Sequence, residues 1–161
     1  MKSTLVKSLA VVAVAALPAL ASAQLTANVS LTTNYKFRGQ DQDVIGKNGS
    51  IKDKAVKPAL QGGLDYAHES GFYIGNWNSS VNWLAGNSLE SDIYGGYKFK
   101  AGEIDMDVGL LTYIYPGNSL GNTTEGYVGA TFGPISAKYS HTFSEDYFGW
   151  AGTSIGSGQK G

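Results

Sequence analysis

The sequence predicts an all-β chain: an antiparallel up-and-down transmembrane β-barrel, left incomplete at about seven strands and preceded by a helical signal peptide. Three observations predict it. The chain opens on a secretory leader, the stretch after the leader alternates apolar and polar residues without a slip, and the later connections alternate short and long.

The leader comes first. Met1 to Ala23 has a basic start (Lys2, Lys7), an apolar run from Leu9 to Leu20 interrupted by Pro18, and Ala21-Ser22-Ala23 as a small-x-small signal for cleavage between Ala23 and Gln24. That run is too short for a helix to span a bilayer core of about 30 Å, and no later stretch approaches the ~18 apolar residues of a transmembrane helix. The division predicted is a signal peptide over 1–23, barrel strands over 24–149 and a flexible Gly/Ser-rich tail over 150–161. Export of this kind points to the cell outer membrane of a Gram-negative bacterium. The expected partners are outer-membrane lipid, the barrel-assembly machinery, and small solutes or ions.

Composition narrows the field. Among 161 residues there are 22 Gly, 10 Tyr, 6 Phe and 3 Trp, with charged residues at 16%. So many aromatics exclude a disordered chain. Without the leader's two lysines, 10 Lys and Arg stand against 13 Asp and Glu, which leaves no basic surplus to track phosphates and argues against nucleic acid. Absence of Cys removes thiolate metal sites and thiol nucleophiles, and His68 and His141 alone leave little for an imidazole site. The expectation is a protein with no enzyme activity and no cofactor.

From Leu25 to Arg38, Leu25, Ala27, Val29, Leu31, Thr33, Tyr35 and Phe37 alternate with Thr26, Asn28, Ser30, Thr32, Asn34, Lys36 and Arg38. A period of two is a strand signal, and the length exceeds the 5 or 6 residues usual in soluble strands. Further strands are predicted at Ala59–Ala67, Phe72–Trp83, Leu89–Phe99, Ile104–Tyr115, Thr124–Phe132 and Ile135–Phe143. Apolar content sets one face as Leu60/Leu64/Tyr66, Tyr73/Trp77/Val81/Trp83, Ile93/Tyr97/Phe99, Ile104/Met106/Val108/Leu110, Val128/Ala130/Phe132 and Ile135/Ala137/Tyr139. The opposite face receives Lys36, Arg38, Asp65, Glu90, Asp92, Lys98, Asp105, Asp107, Glu125 and Lys138. Only His141, among ionisable residues, falls on the apolar side.

Glu69-Ser70-Gly71, Lys100 to Glu103 and Gly133-Pro134 are tight connections, whereas Gln40 to Pro58, Leu84 to Ser88 and Pro116 to Thr123 are longer and rich in Gly, Asn, Ser or Asp. Short periplasmic turns and long outer loops give this alternation in outer-membrane barrels. A soluble barrel or sandwich shares the pattern. The abundance of Tyr, Phe and Trp on the apolar face favours the membrane barrel, where aromatic girdles sit at the interfaces.

Tyr35-Lys36-Phe37-Arg38-Gly39, Pro58 to Tyr66, Ser70 to Trp77, Glu90 to Tyr97, Asp107-Val108-Gly109, Tyr113 to Gly117, Glu125-Gly126-Tyr127 and Lys138-Tyr139-Ser140 resemble the proteobacterial family labelled TorF-type porins (Gcw_chp). The resemblance covers the chain to about Gly149 and implies an outer-membrane barrel with channel function. Family members look longer, so the chain reads as truncated at its C-terminus: seven strands cannot close an antiparallel barrel.

The expected function is therefore a porin for passive diffusion of small hydrophilic solutes or ions. The alternative is a non-conducting structural or adhesive barrel acting through its extracellular loops. A soluble secreted β-protein is a third reading. Candidate pore-lining residues are Asn28, Ser30, Asn34, Lys36, Arg38, Asp65, Asn76, Glu90, Asp92, Lys98, Asp105, Asp107, Glu125 and Lys138. The carboxylates outnumber the cations among them, which favours cations, unless Lys36 and Arg38 form an anion-attracting mouth. Other constellations carry less. Gly152 to Gly156 fits the G-x-S-x-G spacing but has no His after it. Asp41 and Asp43 lack the rest of a calcium loop. Glu90/Asp92 and Asp105/Asp107 are two same-face acid pairs that a wet lumen explains, and they are expected to neighbour each other across the Lys100 to Glu103 turn.

Overall fold

The computed structural model describes residues 24–46, 49–52 and 54–149. Seven antiparallel strands follow one another as a meander: β1 Gln24–Thr32, β4 Ala59–Ala67, β5 Phe72–Ser80, β6 Leu89–Ala101, β7 Ile104–Ile114, β8 Thr123–Phe132 and β9 Ile135–Thr142, in the spatial order β1-β4-β5-β6-β7-β8-β9. Between β1 and β4 lies a small hairpin of β2 Lys36–Phe37 and β3 Gln40–Asp41. The sheet is open, not closed into a barrel. β1 and β9 are its edges, and with an odd number of antiparallel strands the two run the same way. A 3-10 turn spans Ser119–Gly121, and among the described residues no helix is long and apolar enough to cross a membrane. The predicted signal peptide, the 150–161 tail and the Gly152 to Gly156 motif lie outside the described residues.

The registers assign the two faces. Leu25, Ala27, Val29 and Leu31 pair with Tyr66, Leu64, Gly62 and Leu60, and the same side continues through Ile74, Ile93, Leu110, Val128 and Tyr139. Every large apolar side chain exposed within a sheet strand belongs to this apolar face, with Val29 the most open at 78%. The predicted faces of β1, β4, β6, β7, β8 and β9 agree with it. That of β5 is inverted. Tyr73 pairs with Gly96 and Trp77 with Asp92, on the polar face, while Phe72, Ile74 and Asn76 lie on the apolar one. The inversion follows from counting Tyr and Trp as apolar, although each carries a polar atom that a charged face can satisfy.

β1 also ends earlier than its alternation predicts. The chain bends at Thr33, and Arg38 (φ 46°) with Gly39 (φ 84°) turn it back on itself. Two successive positive φ angles are what a two-residue type I′ hairpin turn demands. Tyr35 and Phe37 thereby pack onto the polar side of the sheet. They help cover the buried cluster of Val81, Tyr113, Tyr115 and Phe148, with Trp83, Leu84, Leu111 and Tyr147 against it. This core sits at the end of the sheet that carries the longer connections. Tyr147 to Gly149 form a turn, not a strand.

Candidate functional site

Tyrosine and glycine organise the polar face. Tyr73, Gly96, Gly109 and Tyr127 stand in one row across β5, β6, β7 and β8. A Cβ on Gly109 would lie 2.5 Å from the Tyr127 hydroxyl, so the absent side chains make room for both rings to lean inward. The two phenols meet above the glycines, and Tyr73 Oη donates to Asp107 at 2.6 Å. Lys98 and Lys138 lie over the Tyr73 and Tyr127 rings, at 5.0 and 3.8 Å from their centroids. In the next row Tyr94 crosses Gly75 to donate to Asp65 at 2.5 Å.

Nearer the long connections, the hairpin folds down onto the same face. Tyr35 and Tyr115 each donate a hydroxyl to Glu90, at 2.9 and 3.1 Å, and Glu90 is almost fully buried. Arg38 donates two hydrogen bonds to Glu125, whose side chain is 3% exposed, and its Nη1 also meets Tyr147 Oη at 2.5 Å. The Glu125 contact keeps the Arg38 guanidinium charged well beyond its already high range, and Tyr147 adds to this. Burial first, and then the Glu90 carboxylate, push the Tyr35 phenol far above its ordinary range, so it stays a donor. Asp92 stands between Trp77 on β5 and Tyr113 on β7, and Tyr35 packs edge-on against Trp77 at 5.5 Å.

The predicted pore residues divide accordingly. Asn28, Ser30, Asp65, Glu90, Asp92, Lys98, Asp105, Asp107, Glu125 and Lys138 share the polar face. Asn76 does not. It faces the apolar side, where its amide donates to Ser91 Oγ and the Asp92 carbonyl and its oxygen accepts from Asn78 Nδ2, which makes a polar atom tolerable there. Asn34, Lys36 and Arg38 belong to the hairpin region and not to β1. Arg38 is engaged by Glu125, so it does not stand free as half of a cationic mouth.

The two acid pairs are not neighbours. Asp105 is opposite Lys100 and Asp107 opposite Lys98, at the short-turn end, whereas Asp92 is opposite Tyr113 near the other end. An antiparallel hairpin sets the start of one strand beside the end of the next, which separates them. Asp41 and Asp43 are each taken by a lysine, Lys57 at 2.6 Å and Lys52 at 2.5 Å. Burial pushes Asp41 up, but Lys57 and the Asp43 N–H outweigh it and hold its carboxyl below the usual range. His68 bonds Ser70 in the β4–β5 turn.

The residues missed by sequence reasoning are the phenols: Tyr35, Tyr73, Tyr94, Tyr113, Tyr115 and Tyr127. Their signal is a tyrosine opposite a glycine or near an acid on an adjacent strand, visible only once the register is known. Together they present a hydrogen-bonded acidic surface in which nearly every carboxylate has a donor. Among the described residues no group of three His, Asp or Glu is suited to a metal.

A family model described as bacterial protein of unknown function (Gcw_chp) matches residues 16–159. The chain belongs to this family. That match spans the whole described sheet. No curated protein and no solved structure matches the chain.

Proposed function

We propose that this Gcw_chp protein is an outer-membrane porin that lets small hydrophilic solutes or ions diffuse passively, its strands crossing the bilayer as part of a β-barrel. The observation that carries the reading is the continuous exposed apolar face running across all seven strands. Soluble monomers rarely expose contiguous apolar patches beyond a few hundred Å², and lipid is the solvent that such a face fits. Strands of 8 to 13 residues suit the ~9–11 needed for a tilted crossing. Tyr66, Phe72, Tyr97, Phe99 and Phe132 cluster at the short-turn end of the apolar face, as an interfacial girdle does. The predicted leader and the TorF-type resemblance support an exported protein assembled by the barrel machinery.

Single-channel recording in a planar bilayer, with the refolded protein or a longer family member, tests the reading. Discrete conductance steps are expected. A folded, inserted protein without conductance overturns the porin assignment in favour of a structural or adhesive barrel. One observation favours that second reading: the β2–β3 hairpin folds onto the polar face and is clamped there by Tyr35–Glu90 and Arg38–Glu125. Recovery of the mature chain in the periplasm, soluble without detergent, would contradict both.

A further inference from the structure

Residues 35–38 cross the polar face as a strap, one strand after another. Tyr35 packs edge-on against Trp77 of β5 and donates to Glu90 of β6, Phe37 packs edge-on against Tyr113 of β7 at 5.5 Å, and Arg38 reaches Glu125 of β8. Beyond β9, Arg38 meets Tyr147 and Phe37 meets Phe148. The segment that leaves the β1 edge therefore touches the segment that leaves the β9 edge, and the long-loop end of the polar face is spanned from side to side.

The strap is held in two different ways. At its base the main chain is tied: the Gln42 N–H donates to the Tyr35 carbonyl, the Asn82 N–H to the Gln42 carbonyl and the Lys57 N–H to the Thr33 carbonyl. Its tip, Lys36–Phe37 with Gln40–Asp41, pairs only with itself, as a two-stranded sheet apart from the seven strands. Among the described residues the tip is held down on the sheet by side chains, foremost Arg38, which is 42% exposed and sits at a positive φ of 46°. That region is strained for a residue with a Cβ. A tied base, a side-chain latch within reach of solvent and strain at the tip are the parts of a flap with two positions.

We propose that the β2–β3 hairpin is a gate over the long-loop end of the lumen, latched shut by Arg38 on Glu125 and swinging about its Tyr35–Gln42 base. The gate rests on the porin reading and adds its regulation. Closed, the strap buries the Glu125 carboxylate; open, it leaves that carboxylate facing solute, where it favours entry of cations. Opening breaks no hydrogen bond of the seven-stranded sheet, so its cost lies in the latch and in the ring contacts of Phe37.

The test places spin labels on the refolded full chain, which has no cysteine of its own. Labels at Gln40→Cys on the tip and Ser119→Cys on the β7–β8 connection, both exposed positions, read the distance between the two by pulsed dipolar spectroscopy. One short distance is expected to dominate in the otherwise unaltered chain. Arg38→Gly, which suits the turn, and Glu125→Gln should each raise a longer-distance component about tenfold, and the two together should raise it no further, because both break one latch. Lys52→Gln, which breaks an ion pair elsewhere in the same connection, should leave the short distance dominant. An unchanged distribution in both latch variants, or effects that multiply when they are combined, overturns the gate. If Arg38→Gly does not refold, Glu125→Gln decides alone. In a planar bilayer the latch variants should pass more current than the unaltered chain, and equal current with the longer distance present also overturns the gate. Distances are read without current, so a hairpin that moves as expected in a chain that never conducts overturns the porin reading and not the latch.

Discussion

The Arg38 guanidinium grips the Glu125 carboxylate through two hydrogen bonds, 2.7 and 2.6 Å long, joining residues 87 apart in sequence. The same arginine occupies the left-handed region at the hairpin turn, where non-glycine residues are strained. Turn and clamp therefore meet in a single residue. Arg38→Gly should relax the turn and release the clamp, and the freed, buried Glu125 should cost about 3 kcal/mol. Limited proteolysis within residues 40–58 should accelerate in Arg38→Gly, and a second change, Glu125→Gln, should restore part of the protection by removing the stranded charge. Unchanged cleavage in Arg38→Gly would mean that the clamp does not hold the loop.

The two faces should respond differently to a charge. Val29→Arg and Leu64→Arg place a cation on the apolar face and should cost about 2 to 4 kcal/mol near the midplane of a bilayer. Asn28→Arg and Gln61→Arg lie on the polar face and should leave stability nearly unchanged while altering permeation. Urea titration in lipid vesicles measures the first effect, and equal losses in both sets would contradict the assigned faces.

Pairing of Arg38 with Glu125 also bears on ion preference. With that pair mutually neutralised, the polar face is left with more carboxylates than lysines, so the proposed pore should prefer cations. Arg38→Ala should increase that preference. A reversal potential in a KCl gradient reads it, and anion preference abolished by Arg38→Ala would restore the arginine mouth.

Gly109→Val should disrupt the tyrosine row. The new Cβ would meet the Tyr127 hydroxyl at 2.5 Å and the Gly95 carbonyl oxygen at 2.6 Å, and backbone on one side leaves little room to shift. A loss of about 1 to 3 kcal/mol is expected, as for other overpacked sites. Near-ultraviolet circular dichroism should report the changed tyrosine environment, and an unaltered spectrum would argue that the rings do not lean over the glycines.

Acid should loosen the hairpin loop. Because Asp41 is held below its ordinary range by Lys57, its contribution is present above the unfolded pKa, near 3.9, and is lost as pH falls through the lower folded value. Amide exchange across residues 40–46 should thus rise only in strongly acidic solution, and Asp41→Asn should abolish that rise.

Much of the sheet was legible because alternation and turn chemistry are local signals. Ala59–Ala67 has the bounds its pattern predicts, and Glu90, Asp92, Lys98, Asp105, Asp107, Glu125 and Lys138 share the face that charge assigns them. β5 was not legible. Its Phe72 and Ile74 face one way, its Tyr73 and Trp77 the other, and choosing between them requires knowing that Asp107 lies within reach of the Tyr73 hydroxyl. β1 misled for a related reason: Tyr35 and Phe37 continue the alternation past the bend at Thr33 because both still need burial, now against Glu90 and Tyr113. The acids of the site were visible in the sequence, whereas the phenols that organise them depend on cross-strand register.

The meander gives the molecule an order of assembly. Each sheet strand pairs with the next one along the chain, so closure entropy is small for the tight hairpins and the sheet can grow one strand at a time. The arginine of the first connection cannot find its glutamate until β8 has joined. The clamp therefore closes only once β8 is in place, and until then the Glu125 carboxylate remains hydrated.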